Sequence, residues 1–192
     1  YLTAIDYLQQ SLAIIQKIKS HYGESTALGN LGFTYVNLGD YPKAIRYLQQ
    51  AVAIARETKE RGNEGWALSS LGYIFYKQGN FANSEKTLVE AMKVLESLRD
   101  KRLDDTNKIS LFDTQRDTYR TLQQVLIAQN KINPALEIAE RGRARAFAEL
   151  LASRLSSKPK DELSVNPPNI QEIKQIAKAQ NTSLVEYSVV HD

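Results

Sequence analysis

From Leu28 to Leu38 apolar residues recur at helical spacing: Leu28, Leu31, Tyr35 and Leu38 share one face. The pattern breaks at "NLGDY". There Gly39 suits a left-handed helix end, and Asp40 suits the N-cap of a second helix. That second helix carries Ala44, Ile45, Leu48, Ala51, Val52 and Ala55 on its apolar face. Forty residues later the text repeats. Leu31 and Gly32 return as Leu71 and Gly72, Tyr35 as Phe75, Gly39 as Gly79 and Tyr41 as Phe81. Ala44 returns as Ser84, Leu48 as Leu88 and Ala51 as Ala91. In the other direction Tyr1, Ala4, Leu8 and Ser11 take the places of Tyr41, Ala44, Leu48 and Ala51. The first unit is therefore represented by its second helix alone. "SHYGES" and "KERGNEG" are expected to separate successive units.

Repetition with this period is the signature of stacked helix pairs, none of which buries its apolar face alone. The small residues follow from that stacking. Gly32 and Ala44 are expected where two helices cross closely, as are Ala51 and Ala91. A larger side chain there would strain a packed core. Tyr35, Leu48 and Phe75 fill the space around the crossing.

A fourth, degenerate unit follows. Leu122 and Leu126 stand where Leu31 and Tyr35 stood, and Gln123 replaces the glycine. About eleven added residues around "DKRLDDTNKIS" predict a longer first helix. In its second helix Ala135, Ala139 and Gly142 align with Ala44, Leu48 and Ala51. Asn133 is the expected N-cap and Pro134 the first helical residue.

Beyond Leu155 the pattern changes. "SSKPKDELSVNPP" has no helical period and predicts a linker over residues 156–168. A short amphipathic helix should start after Asn169, which with Glu172 forms a capping box. The valine-rich stretch Ser183–Val190 predicts a strand without a partner, open to edge pairing and dimerisation. The expected division is 1–155 for the repeats, 156–168 for the linker, and 169–192 for the start of a following domain.

Leu31-Gly32, Tyr35, Ala44, Leu48 and Ala51 resemble the consensus of the tetratricopeptide repeat. The forty-residue period resembles the kinesin-light-chain style of that repeat. The resemblance implies an all-α, right-handed superhelical solenoid. It also implies a groove lined by the first helix of each unit, able to hold a peptide or protein partner. A second resemblance covers roughly residues 105–192. There "AERGRARAF", the proline-bearing linker and "SLVEYSVVHD" are similar to the junction between such repeats and a caspase-like domain in bacterial, commonly cyanobacterial, CHAT-type proteins. In that family the cysteine–histidine dyad lies well downstream, so none of its positions maps onto this chain. Three functions follow as expectations: a regulatory interaction region, a structural brace for a peptidase, or an adaptor with an inactive downstream domain.

Composition narrows the chemistry. The chain has no cysteine, which removes thiolate metal sites and a cysteine nucleophile and fits a reducing, cytoplasmic setting. A net charge of +3 is too small to argue for nucleic acid. No apolar run approaches the roughly 18–20 residues of a membrane span. The chain opens without methionine, which suggests a fragment. His21 and His191 are far apart, the first in an expected inter-repeat loop. "GYIFYKQGN" lacks the Gly-Lys-Ser/Thr of a phosphate loop. No catalytic activity, metal or cofactor is expected of these residues.

Two surfaces are candidate sites. The groove face carries Asn30, Phe33 and Asn37 in one unit and Trp66, Ser70, Tyr73, Tyr76 and Lys77 in the next, with Arg120 and Gln124 in the fourth. Its aromatics are either partner anchors or packing between units. The arginine-rich helix carries Arg141, Arg143 and Arg145, with Glu137 and Glu149 each one turn from an arginine. Intrahelical ion pairs, contact with a downstream domain, or a phosphate ligand would each suit it.

Overall fold

In the computed structural model, residues 1–98, 105–154 and 169–179 are described, excluding the side chains of 105–110, 144–154 and 177. Every regular element among them is an α-helix: α1 (Leu2–Lys17), α2 (His21–Leu38), α3 (Tyr41–Glu57), α4 (Arg61–Lys77), α5 (Phe81–Glu96), α6 (Asp105–Ala128), α7 (Ile132–Arg154) and α8 (Ile170–Ala179). The linker expected over 156–168 and the strand expected at Ser183–Val190 lie outside the described residues, as does His191. The chain forms two compact units, Tyr1–Thr121 and Leu122–Asp192.

In the first unit each helix packs on the next from α1 to α5, and α2 also packs on α4. That second-neighbour contact makes the unit a stack of helix pairs. Within a pair the turn is written as expected. Gly39 has φ 81° and closes α2, with Asp40 N–H donating to Tyr35 O at 3.0 Å. Asp40 Oδ1 then accepts from Lys43 N at 3.2 Å and starts α3. Gly79 and Asn80 do the same between α4 and α5.

The crossing chemistry is also as expected. A methyl group at Gly32 would stand 2.6 Å from Leu48 Cγ and 3.3 Å from the Ala44 carbonyl oxygen. One at Gly72 would stand 2.5 Å from Leu88 Cγ. Ser84, which replaces Ala44, turns its hydroxyl onto Gly72 O at 2.7 Å, so the polar group is satisfied inside the crossing. Leu31, Tyr35, Ala44, Leu48, Ala51 and Ala91 are all buried. Leu38, expected on the same face, is 43% exposed because it is the last residue before the turn.

The boundaries between units differ from expectation. "SHYGES" and "KERGNEG" are not loops: all but Ser20 and the Lys59-Glu60 pair of these stretches form the first turns of α2 and α4. The connection shrinks to three residues because Lys19 (φ 55°) and Lys59 (φ 60°) take the left-handed conformation. Lysine does not announce that conformation as glycine does. His21 is accordingly the first residue of α2, not a loop residue.

The long first helix of the fourth unit is helical from Asp105, and Leu122, Val125 and Leu126 are buried. α7 starts at Ile132, two residues before Pro134, so Asn133 is inside the helix instead of capping it. Ala135 is buried, but Ala139 and Gly142 are only half-buried. In the second unit α8 packs on α7. Asn169 and Glu172 form the reciprocal capping box: Asn169 N donates to Glu172 Oε2 at 2.8 Å, and Glu172 N to Asn169 Oδ1 at 3.0 Å.

Candidate protein-binding groove

The face in question belongs to the first helices of the stacked pairs, α2 and α4, and to α6 as far as Thr121. Helical spacing puts Asn30, Phe33 and Asn37 on one line of α2. Asn30 and Asn37 are exposed and Phe33 is 47% exposed. Asn37 Nδ2 donates back to Phe33 O at 3.1 Å, which holds the amide against its own helix. On α4, Ser70 donates to Trp66 O at 3.1 Å, leaving its lone pairs free to accept.

The aromatics divide. Phe33 and Trp66 meet across the two helices, ring centroids 5.9 Å apart and tilted by 45°. Tyr73 is 38% exposed, with Lys77 Nζ 5.8 Å from its ring centroid. Such a pair presents a cation and an aromatic face together. Tyr76 instead points to the turn, where its ring meets Phe81 at 6.2 Å. Trp66 is half-buried, because its indole covers Gly29. The expectation that packing does not need Trp66 is therefore corrected: this residue is both wall and surface. On α6, Arg120 is exposed, and Thr118 turns inward onto Ser69 of α4. Gln124 is half-buried and belongs to the second unit.

Beside Trp66 lies a hollow of about 570 Å³. Its apolar side is made by Trp66, Leu95, Leu98 and Leu111, and its polar rim includes Asn30, Thr26 and Asn63. Asn63 Nδ2 bridges from α4 to α2, donating to Ser25 Oγ at 2.9 Å and Thr26 Oγ1 at 3.0 Å. That leaves the Asn63 carbonyl oxygen to accept a further donor. Asn30 and Trp66 are thus the two sequence-selected residues that share the hollow. Asn63 and the leucines were not anticipated. Asn63 could have been found, since it precedes Trp66 by three and falls on the same helix face; the leucines come from α5 and α6 and carry no local signal.

The arginine-rich helix is α7. Arg143 is exposed and pairs with Glu140. Glu137 departs from its expected role: it accepts from Ile170 N at 2.9 Å and so caps α8 from the neighbouring helix. The Arg145 and Glu149 side chains lie outside the described residues. Among the described residues no three His, Cys, Asp or Glu side chains converge as metal ligands, and no helix is long and apolar enough to cross a membrane.

Hairpins stacked through glycine-on-leucine crossings, with one helix of each facing a shared groove, define an α-helical repeat array. The tetratricopeptide repeat family matches residues 1–57 and 25–97, and the chain belongs to that family. It is 37% identical over 97 residues to tetratricopeptide repeat protein 28 of Mus musculus and 36% identical over 97 residues to its Homo sapiens counterpart. The aligned stretch is 50% of this chain and 4% of each of those proteins. Tetratricopeptide repeats generally mediate protein–protein interaction.

Proposed function

We propose that this chain is a protein-interaction module that holds an extended or helical segment of a partner against α2 and α4. The observation that carries this is the Phe33–Trp66 pair, an exposed ring and a half-buried one at the edge of an apolar hollow. Aromatic anchors of this kind dominate binding energy, and the amides of Asn30 and Asn63 suit a peptide backbone. The chain's membership in a family of interaction repeats supports the same reading.

The test uses peptides selected from a random library on the whole chain. Phe33→Ala and Tyr73→Ala should each weaken binding by about 2 kcal/mol, roughly thirtyfold, with little change in thermal melting. Unchanged affinity in both variants would move the site elsewhere.

The finer reading places the module in a CHAT-type, caspase-like parent, acting in the cytoplasm on protein and not nucleic acid. It is supported by the likeness of "AERGRARAF" on α7, with Arg141, Arg143 and Arg145 as the contact to a following domain. A full-length sequence without a downstream caspase-like domain would remove it.

A further inference from the structure

Three junctions in the first unit join the second helix of one pair to the first helix of the next: α1 to α2, α3 to α4, and α5 to α6. A polar strut crosses each of them at equivalent positions. Gln16 Nε2 donates to Glu24 Oε1 at 2.9 Å. Forty residues on, Arg56 Nε donates to Glu64 Oε1 at 2.9 Å. At the third junction Glu96 stands where Gln16 and Arg56 stood, and the direction reverses: Glu96 accepts from the Tyr119 hydroxyl. Gln115, which aligns with Glu64 once the lengthening of α6 is allowed for, donates to Leu95 O at 3.0 Å.

The surroundings match as well. His21 Nδ1 lies 3.8 Å from Glu24 Oε2, and its equivalent Arg61 places Nη1 2.7 Å from Glu64 Oε2. Arg56 also reaches across to Glu90 of α5 at 2.5 Å. Glu64 is the most enclosed of these groups, its side chain only 3% exposed.

The apolar crossings cannot tell these junctions apart. Hydrophobic contact is non-directional, and the leucines, glycines and alanines recur every forty residues. A helix pair could stack on the wrong neighbour, or on a second chain, at little apolar loss; misassembly is a known hazard of repeats. The struts do discriminate. Arg56 set against Gln115 and Tyr119 would find no carboxylate. Glu96 set against Glu64 would place two carboxylates together, and the enclosed Glu64 would lack a cation.

We infer that residues 16, 56 and 96, with their partners on the following helix, form a pairing code that selects which helix pair stacks on which. The arrangement satisfies every strut only in the native order.

The test uses the whole chain and hydrogen exchange read junction by junction. Arg56→Glu should speed exchange in the last turn of α3 and the first turn of α4 by about tenfold or more, and should populate misassembled oligomers. Adding Glu64→Gln copies the acid–amide set of the third junction. It should restore the monomer and the protection. Adding Glu64→Ala relieves the repulsion without supplying a donor, and should restore less. Equal rescue by alanine and glutamine would reduce the strut to simple repulsion and overturn the code, as would wild-type exchange in Arg56→Glu. If Arg56→Glu does not fold, Arg56→Gln copies the first junction. It should fold and loosen α3 against α4 alone, and uniform loosening of every junction would overturn the proposal.

Discussion

Trp66 of α4 lies across the backbone of Gly29 on α2: a methyl group on Gly29 would stand 2.5 Å from Trp66 Cζ3. Gly29 is therefore small because the indole needs its place. Trp66 is the chain's single tryptophan, so it reports on its own seat. Gly29→Ala should push the indole toward solvent and red-shift its fluorescence emission. Trp66→Ala should cost about 2 kcal/mol of stability, below the range for a fully buried tryptophan. An unshifted spectrum in Gly29→Ala would show that the contact is not maintained.

The Gly32 crossing should be less forgiving. Gly32→Leu and Ala44→Leu are each expected to destabilise by about 1–3 kcal/mol or more, since Leu48 is fully buried and has no room to retreat. Thermal melts near wild type for both would mean that the helices separate cheaply there.

The turn between α2 and α3 carries a pH dependence. The Lys43 ammonium, 2.7 Å from Asp40 Oδ2, and then the Lys43 backbone N–H hold the Asp40 carboxyl below its ordinary value. A depressed carboxyl contributes stability above its unfolded pKa, about 3.9, and loses that contribution as pH falls through the lower folded value. Asp40→Asn should therefore flatten the acid limb of a melting-temperature profile below about pH 4. The pair is exposed, so salt should shrink the difference. A difference that persists undiminished in high salt would point to another group.

In the second unit, Glu137 holds the start of α8 by accepting from Ile170 N. Glu137→Ala should cost that helix about 1 kcal/mol and raise amide exchange across Ile170–Ala179. Exchange in the Tyr1–Thr121 unit should stay as it was. Unchanged exchange in α8 would show that its own capping box suffices.

What could be read from the chain was whatever is local and repeated. Gly39, Asp40, Gly79 and Asn80 mark their turns because the backbone there needs a left-handed residue and then a capping side chain, a requirement within a few residues. The crossing glycines were legible because the same contact is made twice, forty residues apart. The Asn169–Glu172 box likewise lies within one turn. The left-handed lysines were missed because lysine gives no such sign, and so first helical turns were taken for loops.

The tertiary structure alone decided which surface residues are surplus. Trp66 and Tyr76 share a helix face pattern with Tyr73, yet one is seated on Gly29 and another turns to Phe81, while Tyr73 remains open. The floor of the hollow needed Leu95, Leu98 and Leu111, drawn from beyond α4. The struts needed partners eight or more residues away, and Glu137 a partner 33 residues away. Periodicity states which face of a helix is apolar. Only the stacking of one helix on another states which polar atoms meet, because that depends on the separation and rotation of two helices that share no local sequence.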